Sequence, residues 1–563
     1  MKNTLPLLLL CFFSFTAYTQ SARSLNTFGK ITFAEKPFTL TGTFKGYNPK
    51  ADSFKYCNVV YNHLYKSDQQ THTGEIDKNG KFSITFPLNR PQEIMFEFDE
   101  QLTVIYAIPG SSLDITLDLP AFKKLNKLDY AEELKLKEPM EFSGQYAQLN
   151  KECLLFSPIH NTILHYKEHY PLIDSLDQMA YKKYRMGIMQ KLLDSLAAFN
   201  IRHNTSSEFR QLQTQHIRYN TAEDLLRYRW MHNMNRKGKV YVALTPGYMS
   251  FLDEMPLNNE EAVISQSYSS FLNEYINTFN TIGTVTLEMG PFVQYLKSIG
   301  QQFTPQDEDI LKNVATGAGD LETRVKRYNV LVNQYQSQVS DFFAVQRFRH
   351  LVDTLITSAP AGIGKDIMLS GILSNHLDDN RIPFTPEELN TMTRQVTNPN
   401  LRAQIVKENE RLTNVLAGNM PSNSHIRSSL QVSEDKFFEE LMKPYKGKVV
   451  YIDFWAPWCG PCMSEMPSSK QLAQEVKDKN IVFLYIGVSC SKESWQKTIK
   501  DKAMEGEHYF ANDNEGKLLS NKFRIAGIPH YVLIDKEGKV RDDDAPRPSD
   551  KARMLRKFNE LLK

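Results

Sequence analysis

The run Val449-Val450-Tyr451-Ile452-Asp453-Phe454-Trp455-Ala456-Pro457-Trp458-Cys459-Gly460-Pro461-Cys462 constrains its part of the fold more than any other stretch of the chain. It opens as an apolar, β-branched and aromatic segment, the composition of a buried strand, and closes on a Cys-x-x-Cys pair. A helix is predicted to begin at the pair, with Gly460 and Pro461 shaping the bend between the cysteines. Spacing alone leaves such a pair open to zinc binding, a structural role or thiol chemistry, so the flanking residues have to decide.

At 563 residues the chain exceeds one ordinary core, and its length predicts about three or four domains. Hydrophobic residues at 41% and charged residues at 23% suit soluble globular domains, and a net charge of +2 gives no reason to expect nucleic acid. Residues 1–19 read as a signal peptide. Lys2 supplies a basic end, Leu7-Leu8-Leu9-Leu10-Cys11-Phe12-Phe13-Ser14-Phe15 a short apolar core, and cleavage is expected near Thr19. The run is too short to span a bilayer comfortably, and the large Leu10 argues against lipidation at Cys11, so a periplasmic or otherwise exported protein without stable membrane insertion is expected. The remaining cysteines, Cys57, Cys153, Cys459, Cys462 and Cys490, are odd in number, and their spacing is not that of a disulfide-dense scaffold.

Hydrophobic periodicity divides the chain into parts. Over 30–125 apolar and polar residues alternate between turn signals, Asn79-Gly80 among them, which predicts an all-β sandwich. Over 130–417 the period is helical. Met186, Met189, Leu193 and Leu196 fall on one helix face and read as core, and Thr385-Pro386-Glu387-Glu388 carries a helix start with a capping box. Residues 418–431 read as a polar linker. Over 432–563 buried strands at 449–454, 481–488 and 530–534, a turn at 535–539 and an amphipathic helix at 551–562 predict an α/β domain.

In the context of Asp453-Phe454-Trp455-Ala456-Pro457-Trp458, the Cys459-Gly460-Pro461-Cys462 pair resembles the thioredoxin signature nearly residue for residue. Glu465-Met466-Pro467 is similar to an extension found in the exported TlpA/ResA-like branch of thiol-disulfide oxidoreductases. Gly527-Ile528-Pro529 before 531–535 resembles that family's cis-proline strand. The separation of Cys462 from Pro529 leaves room for an inserted strand and helix around 491–511. The segment 38–119 resembles the small β domain that precedes such modules in Bacteroidota proteins.

The resemblance implies a C-terminal thioredoxin fold and a set of roles. Cys459, at the helix start where free N–H groups and the dipole favour a thiolate, is the expected nucleophile, and Cys462 the resolving thiol; together they would form the redox-active disulfide. Asp453, a lone carboxyl group in an apolar strand, is the implied proton relay to Cys462. Trp458, Ile528 and Pro529 would meet the substrate, the Ile528 backbone by β-augmentation, while Trp455, Gly460, Pro461 and Glu465 support the site. No cofactor and no metal are implied. The Gly-Pro pair and Ile528 are similar to reducing thioredoxins near about −270 mV, not to strong oxidants near about −120 mV. Reduction of protein disulfides, with electrons from a membrane thiol donor, is therefore expected over oxidation or isomerisation.

Other signals carry less. His165-Tyr166-Lys167-Glu168-His169 has the spacing of some zinc peptidases but lacks a third ligand in sequence, and a solvated helix face is the preferred reading. Cys490 reads as structural, with an accessory thiol as the alternative; His530 is as well suited to packing as to tuning a thiolate. Gly362-Ile363-Gly364-Lys365 lacks the remaining residues of a phosphate loop. Ala456 stands where peroxiredoxins need threonine, which argues against a peroxidase. A different class of function is a client-binding scaffold built by the first 430 residues, with the redox domain attached.

Overall fold

The computed structural model describes residues 27–563 except 53, 63–68, 100, 126–138, 233–241, 280–288, 299, 429 and 431. The expected signal peptide lies outside the described residues. No helix among them is long and apolar enough to cross a membrane.

Period-two alternation builds the first layer pair. In β1 (Lys36–Lys45) the side chains of Phe38, Leu40 and Phe44 are buried while their neighbours are partly or fully exposed. Gly42 takes the inward position between them because a Cβ there would lie 2.6 Å from the Phe82 ring and 2.7 Å from the Ile115 carbonyl. After β1 come β2 (Tyr56–Asn62), β3 (Gln69–Glu75), β4 (Lys81–Leu88), β5 (Gln92–Phe98), β6 (Gln101–Ala107), β7 (Ser112–Asp118) and β8 (Met140–Gly144). They form two four-stranded sheets, ordered β4-β1-β7-β8 and β3-β2-β5-β6. Between them Phe44, Phe82, Phe96 and Phe98 pack ring against ring, and each such buried ring contributes about 1.5–3 kcal/mol. The Asn79-Gly80 turn forms, with Gly80 at φ +77°, but it carries the chain from one sheet to the other. β8 extends the first sheet from within the stretch whose sequence reads as helical.

The middle region is helical from Ala147 to Ala417 apart from its connections. Met189 and Leu196 of helix Gln178–His203 are buried, and Met186 and Leu193 pack against the same core. The adjoining helix Ser207–Met231 is joined to it by a buried ion pair, Arg185 Nη2 to Asp224 Oδ2 at 2.6 Å. Helix Pro386–Thr393 starts with the expected capping box: Thr385 Oγ1 accepts from Glu388 N at 3.3 Å, and Glu388 Oε2 accepts from Thr385 N at 3.0 Å. Thr385→Ala is expected to cost about 1 kcal/mol, read as a lower denaturation midpoint of the full chain. Helix Ile363–Asn375 runs into a π turn, His376–Asn380, that ends on Arg381 in the left-handed region at φ 51°.

The C-terminal sheet has the order β14-β13-β10-β11-β12-β9. Its strands are β9 (Ser424–Ser428), β10 (Val449–Trp455), β11 (Ile481–Gly487), β12 (Gly506–Phe510), β13 (His530–Ile534) and β14 (Val540–Asp542). β10, buried at every residue, pairs in parallel with β11 and antiparallel with β13. Alternation along β10 sends Tyr451 and Trp455 to one face, under helices Gly460–Glu475 and Lys551–Leu562, and Val450, Ile452 and Phe454 to the other, against helix Asp513–Phe523. Helix Lys492–Asp501 and β12 occupy the space expected for an insertion, and β9, drawn from the predicted linker, pairs with β12 at the sheet edge.

The middle region is joined to this domain through the inserted helix. Asp501 is buried, with Arg411 Nη2 at 2.7 Å from Oδ1 and Arg381 Nε at 3.4 Å from Oδ2. Burial opposes its ionisation, yet Lys502, Arg411 and Arg381 outweigh that and hold the carboxyl group below its ordinary range. Lys500 Nζ donates to the carbonyls of Leu416 and Gly418 at 3.0 and 2.7 Å, closing the end of helix Pro399–Ala417.

Candidate active site

Where β10 gives way to helix Gly460–Glu475, Cys459 takes the N-cap position and Gly460 and Pro461 form the first turn. Cys459 and Cys462 are joined as a disulfide with Cα atoms 5.2 Å apart, and the Cys462 N–H points at Cys459 Sγ from 3.2 Å. Only 3% of Cys459 and 1% of Cys462 are exposed, whereas Trp458 next to them is 62% exposed. The Trp458 indole is held by donation from Nε1 to the Ser489 carbonyl at 2.8 Å. Trp455 is fully buried under the pair, in the same cluster as both cysteines. The Ile528–Pro529 bond is cis, and Ile528 packs against the cores on both faces of the sheet.

Asp453 is 2% exposed, and strand alternation puts it on the face of Tyr451 and Trp455, the face covered by the helix that carries Cys462. Its Oδ1 has no hydrogen-bond partner among the described residues. Burial, and then the nearby Glu465 carboxylate, push the Asp453 carboxyl group well above the ordinary carboxylate range. Glu465, one turn beyond Cys462, is itself satisfied: its oxygens accept from Ser549 N at 3.0 Å and Ser549 Oγ at 2.8 Å.

Three tyrosines missed in the sequence surround the acid. Tyr485 and Tyr531 are the cross-strand partners of Asp453 on β11 and β13, and Tyr451 lies two residues before it on β10. All three hydroxyls are pushed up by burial first and by the Asp453 charge in addition. Tyr451 and Tyr485 have partners, the Pro546 carbonyl and Ser469, while the Tyr531 hydroxyl is buried without one among the described residues. Register was the only signal that could have found them.

The lesser candidates separate. His165 is exposed beside Glu168, whereas His169 is buried against Tyr184, so the two histidines face different surroundings. Lys365 donates to the Ile356 carbonyl and Gly364 N to Asn258, which fills the loop that resembled a phosphate site. Cys57 is buried, its thiol pushed up to about 12 by burial. His530 is half-buried and its ring lies 6.0 Å from Phe454, on the far face of the sheet. Cys490 follows Ser489 at the end of β11 and lines a cleft beside Trp458.

Residues 447–540 match the family model described as thioredoxin-like. The C-terminal part of this chain is a thioredoxin-like domain. Over 106 residues it is 30% identical to the thiol-disulfide oxidoreductase ResA of Geobacillus kaustophilus, covering 19% of this chain and 59% of that protein. Over 99 residues it is 29% identical to ResA of Bacillus thuringiensis, covering 18% of this chain and 56% of that one. The chain thus spans little more than half the length of these curated relatives. A crystal structure of the thioredoxin domain of a thiol-disulfide oxidoreductase from Bacteroides vulgatus is 27% identical, covers 21% of this chain and 83% of that chain, and has a TM-score of 0.20. The thioredoxin-like domain is thus similar in sequence to these thiol-disulfide oxidoreductases.

Proposed function

We propose that the chain is an exported thiol-disulfide oxidoreductase whose thioredoxin-like domain reduces disulfides in proteins. The observation that carries this reading is the Cys459–Cys462 disulfide in the first turn of a helix, behind a strand that buries Asp453, whose carboxyl group is held well above its ordinary range by burial and by Glu465. In the dithiol form, free N–H groups and the dipole at the helix start stabilise a Cys459 thiolate. The thiolate attacks one sulfur of the client disulfide; an S–S bond forms to the client and the client's own S–S bond breaks, releasing one client thiolate. Cys462 then gives up its proton, with Asp453 as the relay, and attacks Cys459 Sγ. The mixed disulfide breaks, the client leaves as a dithiol, and Cys459–Cys462 is oxidised. A membrane-bound thiol donor returns the two electrons. The cis Ile528–Pro529 bond and Trp458 flank the path by which a client strand approaches.

The test is catalysis of insulin disulfide reduction by dithiothreitol. The full chain is expected to shorten the lag before insulin precipitates at micromolar enzyme; a lag equal to that of the uncatalysed mixture contradicts the proposal.

A further inference from the structure

The redox chemistry uses the thioredoxin-like domain alone and leaves the long helical region without a task. Its contact with that domain is specific. After the π turn, Arg381 enters the domain with Nη2 at 3.8 Å from the sulfur of Met463, the residue directly after Cys462, and Nε at 3.4 Å from Asp501. Arg381 is 1% exposed, and removing one partner of a buried ion pair strands the other charge, so the contact favours one fixed placement. π turns of this kind recur at functional sites.

Beside this contact a cleft of about 190 Å³ opens next to Trp458. Tyr295, Asn380 and Ile382 line it from the helical region, and Trp458, Ser494 and Lys497 from the thioredoxin-like domain. The inserted helix therefore serves two purposes: Asp501 and Lys500 bind the helical region, while Ser494 and Lys497 line the cleft. Trp458 and Ile382 are both large apolar residues left exposed, at 62% and 38%, and they come from different domains to one concavity. Their convergence gives the cleft one apolar group on each wall.

The occupant is limited by size, charge and access. The volume is below the roughly 300–1,000 Å³ of sites that enclose a drug-sized ligand, which suits one or two side chains of a longer molecule. Lys497 is neutralised by Glu493 at 2.6 Å, so the cleft offers no anion site. Cys459 is nearly covered, so a sulfur that reaches it must sit on a narrow, flexible stretch of chain. We infer that this interdomain cleft docks an extended polypeptide segment of the client, the stretch flanking its disulfide, and that the helical region thereby selects flexible segments over disulfides recessed in folded surfaces. This inference rests on the proposed reductase activity and adds the substrate class.

The test compares two disulfides on the full-length chain: an unstructured peptide carrying an internal disulfide with an apolar residue beside it, and hydroxyethyl disulfide, too small to reach the cleft and Cys459 together. Ile382→Glu and Ser494→Trp, one on each wall, are each expected to lower the ratio of kcat/KM for peptide over hydroxyethyl disulfide about tenfold, through KM for the peptide. Val330→Glu, an equally polar change at an exposed apolar residue elsewhere, is expected to leave the ratio as it is. Ratios unchanged in both wall variants overturn the inference, as does an equal loss on both disulfides. An unsubstituted chain inert towards both compounds defeats the reductase reading itself, which separates that failure from failure of the docking site.

Discussion

Cys459→Ser reduces insulin-type disulfide turnover to the uncatalysed rate, a loss of at least about a thousandfold, because Cys459 is the one thiol of the domain that occupies an N-cap position among the described residues. Cys459 is the N-cap of helix Gly460–Glu475, and that position favours its thiolate. Both cysteines are nearly covered, but Cys462 lies inside the helix whereas Cys459 caps it, so the first attack is assigned to Cys459. Cys462→Ser is therefore expected to keep the first attack and lose the second. The client stays bound to Cys459, and a mixed disulfide visible on a non-reducing gel replaces turnover. Turnover surviving in Cys459→Ser would remove the mechanism. Trapping through Cys490 instead would move the nucleophile to the end of β11.

Asp453→Asn is expected to slow release of the mixed disulfide about a hundredfold while leaving its formation within a few-fold of the unsubstituted protein, since a proton relay serves the second attack. Stability should move the other way. Burial and Glu465 raise the Asp453 carboxyl group in the folded chain, whereas the unfolded chain ionises near pH 4, about the ordinary aspartate value. Above that pH the folded state holds a proton that the unfolded state has released, so the contribution of Asp453 to stability falls as pH rises toward its raised folded value. Asparagine cannot ionise and escapes this loss. The Tm of Asp453→Asn relative to the unsubstituted chain is expected to climb from pH 4 to pH 8, reaching the equivalent of about 1–3 kcal/mol. A difference that stays flat over this range would mean that Asp453 gains no such penalty and that burial does not raise its carboxyl group.

The redox domain and one helix start in the middle region were legible because their signals are local. A seven-residue buried strand, a helix-start cysteine and a capping box at Thr385 each act within a few residues, and all formed as the pattern demands. The alternation of β1 and β4 gave the sandwich in the same way. What escaped depends on pairing over distance. The strands β8 and β9 bury almost none of their residues, so no hydrophobic pattern marks them, and each pairs at the edge that a neighbouring strand offers. The tyrosines around Asp453 share no motif with it; β-sheet register alone brings them there. Likewise Arg381 and Asp501 are ordinary charged residues in sequence, and only the folded chain buries them together beside Met463.

If Cys459 and Cys462 form a reducing couple, their reduction potential lies with those of the reducing thioredoxins. The full chain would be equilibrated in dithiothreitol redox buffers, quenched with acid, and the two thiols counted by alkylation and mass spectrometry. A potential near about −270 mV is predicted, and one near about −120 mV would make the same disulfide a donor of oxidising equivalents and the protein an oxidase.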